Sequence, residues 1–368
     1  MSDLINLQDI NNPVWALPDF PHFYHNSEAA IALETRLKQQ MADLRLRAFP
    51  IGEPDPNDLL ISEIFSNSEI EGVILDERKI TESLLENIVG DTLKPEKAAA
   101  DLLRLGMKHV QNPLTHEIIK KLHETIFPST EEKEFAGKYM GGLKIVSGKR
   151  IDRQTIVDRG VPPEQVEQAM SQFIDWFNAR DRSTPLYNAV RGHIHFESIH
   201  PFHDGNGRVG RTLMNMGLMA DFELTFPLAL SRGIRSHRET YYAQFGTGKL
   251  DLTEAVKAFV PILADAAIET ERMLEITGFR KSAYAKGMNQ RQERVFERLC
   301  RYELTSGFQG KFTNEKYRKI AGITEEKTAM RDLKDLVEKG IFTKHGQMKG
   351  THYKLALSNE RNTKHANA

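Results

Sequence analysis

His200-Pro201-Phe202-His203-Asp204-Gly205-Asn206-Gly207-Arg208-Val209-Gly210-Arg211 is the stretch from which the fold and the chemistry of this chain are read. Apolar residues at helical spacing run from Leu186 to Ile199 before it, and Pro201 stops them. Helical spacing resumes from Asn206 to Met219. The dozen therefore forms a loop that opens onto a helix N-terminus, where bare N–H groups and the helix dipole hold phosphates. Gly205 and Gly207 let the main chain approach an anion and take left-handed angles. Asn206 adds a side-chain donor. Arg208 and Arg211 lie three residues apart on one helix face, and each can grip phosphate oxygens with paired donors. Asp204 supplies the one carboxylate that a phosphate-bound magnesium ion needs. His200, with its near-neutral pKa, can take a proton from an attacking hydroxyl. These groups match the needs of a magnesium–nucleoside triphosphate.

Two rival readings of the loop are weaker. Gly205 to Thr212 comes close to a P-loop, but Arg211 stands where lysine belongs and a helix, not a strand, precedes it. Histidines 193, 195, 200 and 203 crowd the region without the cysteine or Glu-His spacing of a zinc site. His193 and His195 read as helix packing, His203 as a loop residue and Phe202 as a core anchor.

The rest of the chain reads as mainly α. Helical patterns cover Ala29–Ala48, Asn57–Ser68, Ile80–Val89, Ala98–Val110, Ile118–Ile126, Val166–Ala179 and Thr253–Thr277. Residues up to about 26 read as an irregular arm, and Gly278–Asn289 as a linker. Tyr139–Asp158, with Gly141, Gly142 and Gly148 among β-branched residues, reads as a hairpin closed by Val161-Pro162-Pro163. The tail has the winged-helix order: Arg291–Tyr302, Asn314–Ala321, a turn at Gly322, then Glu325–Lys339 capped by Thr324. A hairpin of Ile341–Lys344 and His352–Leu355 completes it. Met330, Leu333 and Val337 are expected on the inner side of the third helix, with Lys327, Thr328, Arg331 and Lys334 outward. Lys344, Lys349 and Lys354 add positive charge on the hairpin.

Composition bounds the rest. The 368 residues carry 50 Lys+Arg and 51 Asp+Glu, a net charge of −1. Residues 290–357 hold 15 basic and 9 acidic side chains, leaving 35 and 42 elsewhere, so a basic module sits on an acidic body. The lone cysteine, Cys300, excludes an internal disulfide and reads as a small core residue. No apolar run reaches the roughly 20 residues of a membrane span. With no signal-peptide pattern at the N-terminus, the expected location is cytoplasmic.

The dozen also resembles the signature of the Fic family, His-x-Phe-x-Asp/Glu-Gly-Asn-Gly-Arg-x-x-Arg, with all eight defined positions filled. The resemblance covers about residues 30–275. It implies a helical bundle with a small β-hairpin flap, and transfer of AMP from ATP to a Tyr, Ser or Thr hydroxyl of a protein. On that resemblance His200 is the base, Asp204 binds Mg2+, and Gly205, Asn206 and Gly207 form the nest around the α- and β-phosphates. Arg208 and Arg211 hold the β- and γ-phosphates. The hairpin near 141–156 would dock the target protein as an added strand. Tyr241 and Tyr242 match an aromatic pair that lies near the adenine, although they read equally as core aromatics.

Ser66-Asn67-Ser68-Glu69-Ile70-Glu71-Gly72 resembles the family's inhibitory motif, Ser/Thr-x-x-x-Glu-Gly/Asn, with Asn67 replacing the hydroxyl residue. It implies that Glu71 reaches Arg211 and takes the place of the γ-phosphate; the plainer reading is a helix-terminal glutamate before a Gly72 cap. The expected layout is 1–110 with the inhibitory motif, 111–278 as catalytic core, 285–358 as winged helix and 359–368 as a disordered tail. AMP removal, transfer of phosphate, and a nucleotide-sensing DNA-binding regulator remain as alternatives. DNA or protein can occupy the winged helix, and a homo-oligomer is left open.

Overall fold

The computed structural model describes residues 13–48, 56–72, 75, 95–127, 134–142, 144–147, 155–304 and 311–357. The expected helix Ile80–Val89 and the expected disordered tail lie outside them. Mainly α architecture is observed, in two compact units: residues 1–49 with 59–270, and 50–58 with 271–368. Regions 1–110 and 111–278, read separately in the sequence, share the first unit up to Thr270, except for residues 50–58.

The helices of the first unit are α1 (Ser27–Ala48), α2 (Pro56–Ile70), α3 (Pro95–Lys108), α4 (His116–Glu124), α5 (Pro163–Ala179), α6 (Pro185–Ile199), α7 (Asn206–Asp221), α8 (Leu230–Ser236) and α9 (Arg238–Tyr242). The helix α10 (Thr253–Ala285) follows. Strands β1 (Lys144–Ser147) and β2 (Thr155–Arg159) pair antiparallel between α4 and α5, with a register shift between Ile145 and Val146. This is the expected hairpin, shorter than the Tyr139–Asp158 stretch.

Helices α6 and α7 pack against each other and hold the loop 200–205 between them. Phe173, Phe196, Phe202, Val209 and Leu213 are buried beneath that loop in one apolar cluster with Leu122 of α4. Each such side chain contributes about 1.5–3 kcal/mol of burial, so the loop rests on a rigid floor. Helix α2 is buried nearly all round, with Leu60, Ile61 and Ile64 against Ala100 and Leu103 of α3. A central helix of this kind can carry polar groups inward only if they are partnered.

Helix α10 corrects the linker expected at Gly278–Asn289. It stays helical to Ala285, because Ala283 is fully buried and Phe279 and Tyr284 both pack on Phe296. The chain turns only at Gly287, where φ is +70°.

The second unit continues with α11 (Gln290–Leu304), α12 (Asn314–Ala321) and α13 (Glu326–Glu338), then β3 (Phe342–His345) paired antiparallel with β4 (His352–Leu355). A bridge from Phe312 to Tyr353 adds a third short edge. Three helices and a hairpin follow in the expected order. Two details differ. Glu325, not Thr324, occupies the N-cap of α13. Met330 is 57% exposed, and the inner face consists of Ala329, Asp332, Leu333 and Leu336. The phase is set by Asp332, whose carboxylate accepts from Arg291 Nε at 3.0 Å, Tyr317 Oη at 3.0 Å and Asn289 Nδ2 at 3.2 Å. Periodicity counts only apolar residues and so misses a face organised around a buried carboxylate. Lys327, Arg331, Lys334, Lys344 and Lys354 are exposed as expected. Cys300 is buried in α11.

Candidate active site

His200 ends α6 in a left-handed conformation, φ 49° and ψ 60°, with its N–H on Phe196 O. Helical angles are disfavoured before a proline, and non-glycine residues held there are strained by about 1–3 kcal/mol. The strain is retained because the loop is fastened on both sides. Met140 N–H donates to Pro201 O at 2.8 Å, and Val161 N–H to Ile199 O at 3.0 Å, which ties the base of the β1–β2 hairpin to the loop. From the other side His123 Nε2 donates to Asp204 O at 2.9 Å while its Nδ1 accepts from Gly137 N–H. Its ring lies flat on Phe202, centroids 3.7 Å apart. Burial pushes the His123 pKa down to about 4, consistent with a fixed neutral tautomer.

The His200 imidazole is likewise pushed down to about 4 by burial, so it is neutral and able to accept a proton at physiological pH. The backbone of Glu197 opposes that fall as a hydrogen-bond partner of the ring. Asp204 is exposed at the loop's edge, its side chain 66% accessible, and accepts from Arg208 Nη2 at 3.0 Å.

The helix α7 begins here. Gly205 is its N-cap at φ +80°, which a side chain would strain. Gly207 is ordinary helix, contrary to the left-handed angle expected. It is needed for space instead: a methyl group there would lie 2.8 Å from Glu71 Oε1 and 3.0 Å from Arg211 Nη1. Asn206 also departs from expectation. Its side chain is folded back onto Phe202, donating to the carbonyl at 2.8 Å and accepting from the N–H at 3.0 Å. The amide clamps the loop, and only the backbone N–H of Asn206 is left for an anion.

Arg211 is where the two sequence motifs meet. Its side chain is 1% exposed, and Nη2 donates to Glu71 Oε1 at 2.5 Å. Nε donates to Asn67 Oδ1 at 2.7 Å. Asn67, the position that departs from the inhibitory pattern, thus grips the same guanidinium one helical turn before Glu71. Burial alone would lower the arginine's pKa, but Glu71 and Tyr241 hold it above its ordinary value. Glu71 is thus an exposed residue just past the helix end, before Gly72 at φ +79°, and at the same time the ion-pair partner of Arg211.

The helix α2 is itself anchored by Glu63, which neither motif includes. Its buried carboxylate accepts from Ser231 N–H at 2.9 Å and Ser231 Oγ at 2.6 Å, and burial pushes its pKa up to about 7. Glu69 pairs with Arg235 of α8. Glu63, Asn67 and Glu71 recur every four residues, which places them on one stripe.

Tyr241 is 2% exposed and its hydroxyl is 2.6 Å from His193 Nε2, so it supports Arg211 from within and offers no face to an adenine. Tyr242 is half-buried, with Arg238 over its ring at 5.3 Å. His193 and His195 are buried packing residues, and His203 stacks on Phe135 at the surface. Sequence reasoning missed His123 and Glu63, which lie far along the chain from what they hold. It also missed Glu197, whose Oε2 is 3.8 Å from His200 Nδ1.

Among the described residues no three His, Cys, Asp or Glu side chains gather as a metal cluster, and no helix is long and apolar enough to cross a membrane.

Comparison with known proteins agrees with this geometry. The Fic/DOC family model matches residues 113–218, which span α4 to α7. A protein of Drosophila willistoni described as "Protein adenylyltransferase Fic" is 30% identical over 177 residues, 47% of this chain and 33% of that protein. The protein of the same description from Drosophila melanogaster is 29% identical over 177 residues, with the same shares. The chain therefore spans about a third of the length of these relatives. A crystal structure of a Fic family protein from Desulfovibrio desulfuricans G20 superposes with a TM-score of 0.51 over 88% of this chain and 95% of that one, at 18% identity. That likeness is one of fold.

Proposed function

This chain is a Fic-domain protein, and we propose that it transfers AMP from ATP to a Tyr, Ser or Thr hydroxyl of a target protein under restraint by Glu71. The observation that carries the proposal is the buried Arg211 in the second turn of α7, held by Asn67 and Glu71. A buried guanidinium whose ion-pair partner among the described residues is a 34% exposed carboxylate is a place where a phosphate can displace that carboxylate.

In this reading ATP lays its phosphates over the N-terminus of α7. Backbone N–H groups near Gly205 and Gly207 and the guanidinium of Arg208 neutralise them. The γ-phosphate takes Glu71's place on Arg211. His200 Nε2 removes the proton from the target hydroxyl, whose oxygen attacks the α-phosphorus as pyrophosphate leaves. The β1–β2 hairpin, bonded through its base to the His200 loop, offers backbone groups to an extended target segment. Asp204 fits the modest demands of magnesium, which takes one or two carboxylates plus phosphate oxygens. It would hold Mg2+, which supplies charge neutralisation of the phosphates. The acidic body with a basic tail module suits a protein target on the first unit and a phosphate-bearing partner, DNA among them, on the second.

Removal of AMP is the second reading. Oε1 of Glu71 bonds Arg211, and in this reading Oε2 orients a water. Incubation of wild type and Glu71→Gly with α-labelled ATP, Mg2+ and cell lysate tests the proposal. Label on protein, stronger with the variant, is expected. Absence of label from both, alongside release of AMP from a modified substrate by wild type alone, would replace transfer with removal.

A further inference from the structure

The irregular arm at residues 13–25 enters no step above, yet it is laid along α6, the helix that ends in His200. Tyr187, Arg191 and His195 recur every four residues of α6 and so share one face, and the arm meets each of them. Tyr187 Oη donates to Phe23 O at 2.8 Å, and its ring stacks on His25 with centroids 4.1 Å apart. Arg191 Nη2 donates to Pro21 O at 3.4 Å. The His195 ring meets those of Phe20 and Phe23 at 5.2 and 5.4 Å. At the arm's far end Tyr24 N–H donates to Leu250 O at 3.0 Å and its carbonyl accepts from Leu252 N–H at 2.8 Å.

The near end of the arm reaches the hairpin. Trp15 Nε1 donates to Arg159 O, the last carbonyl of β2, at 2.6 Å. An indole N–H that is partly buried takes a partner, and this one lies 144 residues along the chain. The next residue, Gly160, makes the closest approach of the hairpin to the base: a methyl group there would lie 2.9 Å from His200 Cβ and 3.0 Å from Ile199 O. Val161 N–H then donates to Ile199 O at 3.0 Å. Arg159, Gly160 and Val161 are thus held in succession by the arm, by contact with His200 and by the end of α6. The end of β2 cannot slide along the base or lift from it without losing one of the three.

We propose that Trp15 is a positioning residue for the protein substrate: through Arg159 O it fixes the end of β2 against His200, and so sets where a target segment added to the hairpin presents its hydroxyl. The inference rests on the proposed transfer reaction and its docking of the target at the hairpin. Attack on the α-phosphorus by water, with pyrophosphate leaving, needs no docked strand, so the latch matters to protein labelling and not to release of free AMP. A misplacement of about 1 Å can cost ~10²-fold in rate, and loss of one hydrogen bond with the aromatic ring retained is expected to cost about tenfold.

The test uses the full chain carrying Glu71→Gly, with Trp15 intact or replaced by phenylalanine, which keeps an aromatic ring and removes the N–H. The protein most strongly labelled in cell lysate is purified as the substrate, and AMP on protein and free AMP are both measured with α-labelled ATP and Mg2+. Trp15→Phe is expected to raise KM for the protein substrate and to lower its kcat/KM about tenfold, with free AMP release and KM for ATP unchanged. Unchanged labelling overturns the inference, and so does an equal fall in labelling and free AMP, which would make Trp15 a prop of the whole site. Hydrogen exchange in the full chain without substrate reads the latch directly. Amides of residues 155–161 should exchange faster in Trp15→Phe than in wild type, and those of α6 and α7 equally; equal exchange at 155–161 also overturns the inference. If no chain labels protein, the transfer reading fails, and exchange still decides whether Trp15 holds β2.

Discussion

Replacing Glu71 with glycine isolates the restraint on Arg211. Two unit charges about 4 Å apart attract by about 4 kcal/mol at an effective dielectric near 20. Arg211 is 1% exposed but Glu71 is 34% exposed, and solvent screening brings the competing interaction to about 2–3 kcal/mol. At about 1.4 kcal/mol per decade, ATP affinity and labelling rate should rise roughly 30- to 150-fold. Glu71→Gln, which keeps a hydrogen bond and loses the charge, should fall between. Asn67→Ala removes one bond to a charged group, worth about 1.5–3 kcal/mol. It should raise activity less than Glu71→Gly, because it also loosens the arginine that ATP needs. Calorimetric titration with ATP and Mg2+, paired with α-labelled transfer, reads both effects. The decisive control is Glu71→Gly with Arg211→Ala, in which most of the gain should be lost. Equal ATP affinity in wild type and Glu71→Gly would refute the competition argument.

His200→Ala should lower transfer by about 10²–10⁴-fold with ATP binding retained, as checked by single-turnover labelling beside calorimetry; near-normal labelling would remove the base assignment. Because the folded His200 pKa lies near 4, no activity limb from this ring is expected between pH 6 and 8. Asp204→Ala should raise the Mg2+ concentration needed for half-maximal rate, with only partial recovery at high Mg2+. In the second unit the Asp332 pKa is held below its ordinary value: burial works upward, and bonds from Arg291, Tyr317 and Asn289 outweigh it. Its stabilising contribution is thus full above the unfolded carboxyl pKa of about 4 and is lost as pH falls through the lower folded value. Asp332→Ala should lower the second unit's melting temperature at pH 7 by more than at pH 3. If the basic tail binds DNA, affinity at low salt should drop steeply as salt is added; no binding to any duplex at low salt would assign the surface to a protein.

The loop from His200 to Arg211 was legible because its chemistry is local. Base, carboxylate, glycines and arginines lie within one turn and one helix start. The meeting of Glu71 with Arg211 was legible only through the resemblance, since nothing in spacing links positions 140 residues apart. Asn67 read as a departure from the pattern, and only the contact with Arg211 Nε shows that an amide oxygen serves there. Tyr241 could not be separated from an adenine contact by sequence, because burial is a property of the packed chain. Gly278–Asn289 read as a linker since Gly278, Lys281 and Lys286 dilute its apolar stripe. The packing of Phe279 and Ala283 overrides that local signal. His123 and Glu63 gave no signal at all: each acts by holding a distant segment, Asp204 or Ser231, in place.

The grip of Glu63 on Ser231 bears on how fast and how sharply the protein can respond. Helix α2 is buried nearly all round over its described residues and fastened at that second point, so releasing it would dismantle the core. Glu71 lies just past the last helical residue, Ile70, before Gly72 at φ +79°. Its withdrawal is then a swing of one side chain, on the nanosecond scale of rotamer exchange rather than the micro- to millisecond scale of domain motion. A tethered carboxylate presents itself to Arg211 at a fixed local concentration, of millimolar order for short tethers. If nucleotide competes with Glu71 as proposed, it has to exceed that threshold to win. Such a device would work as a graded meter of nucleotide supply, with a set-point tuned by the length and pairing of one short turn.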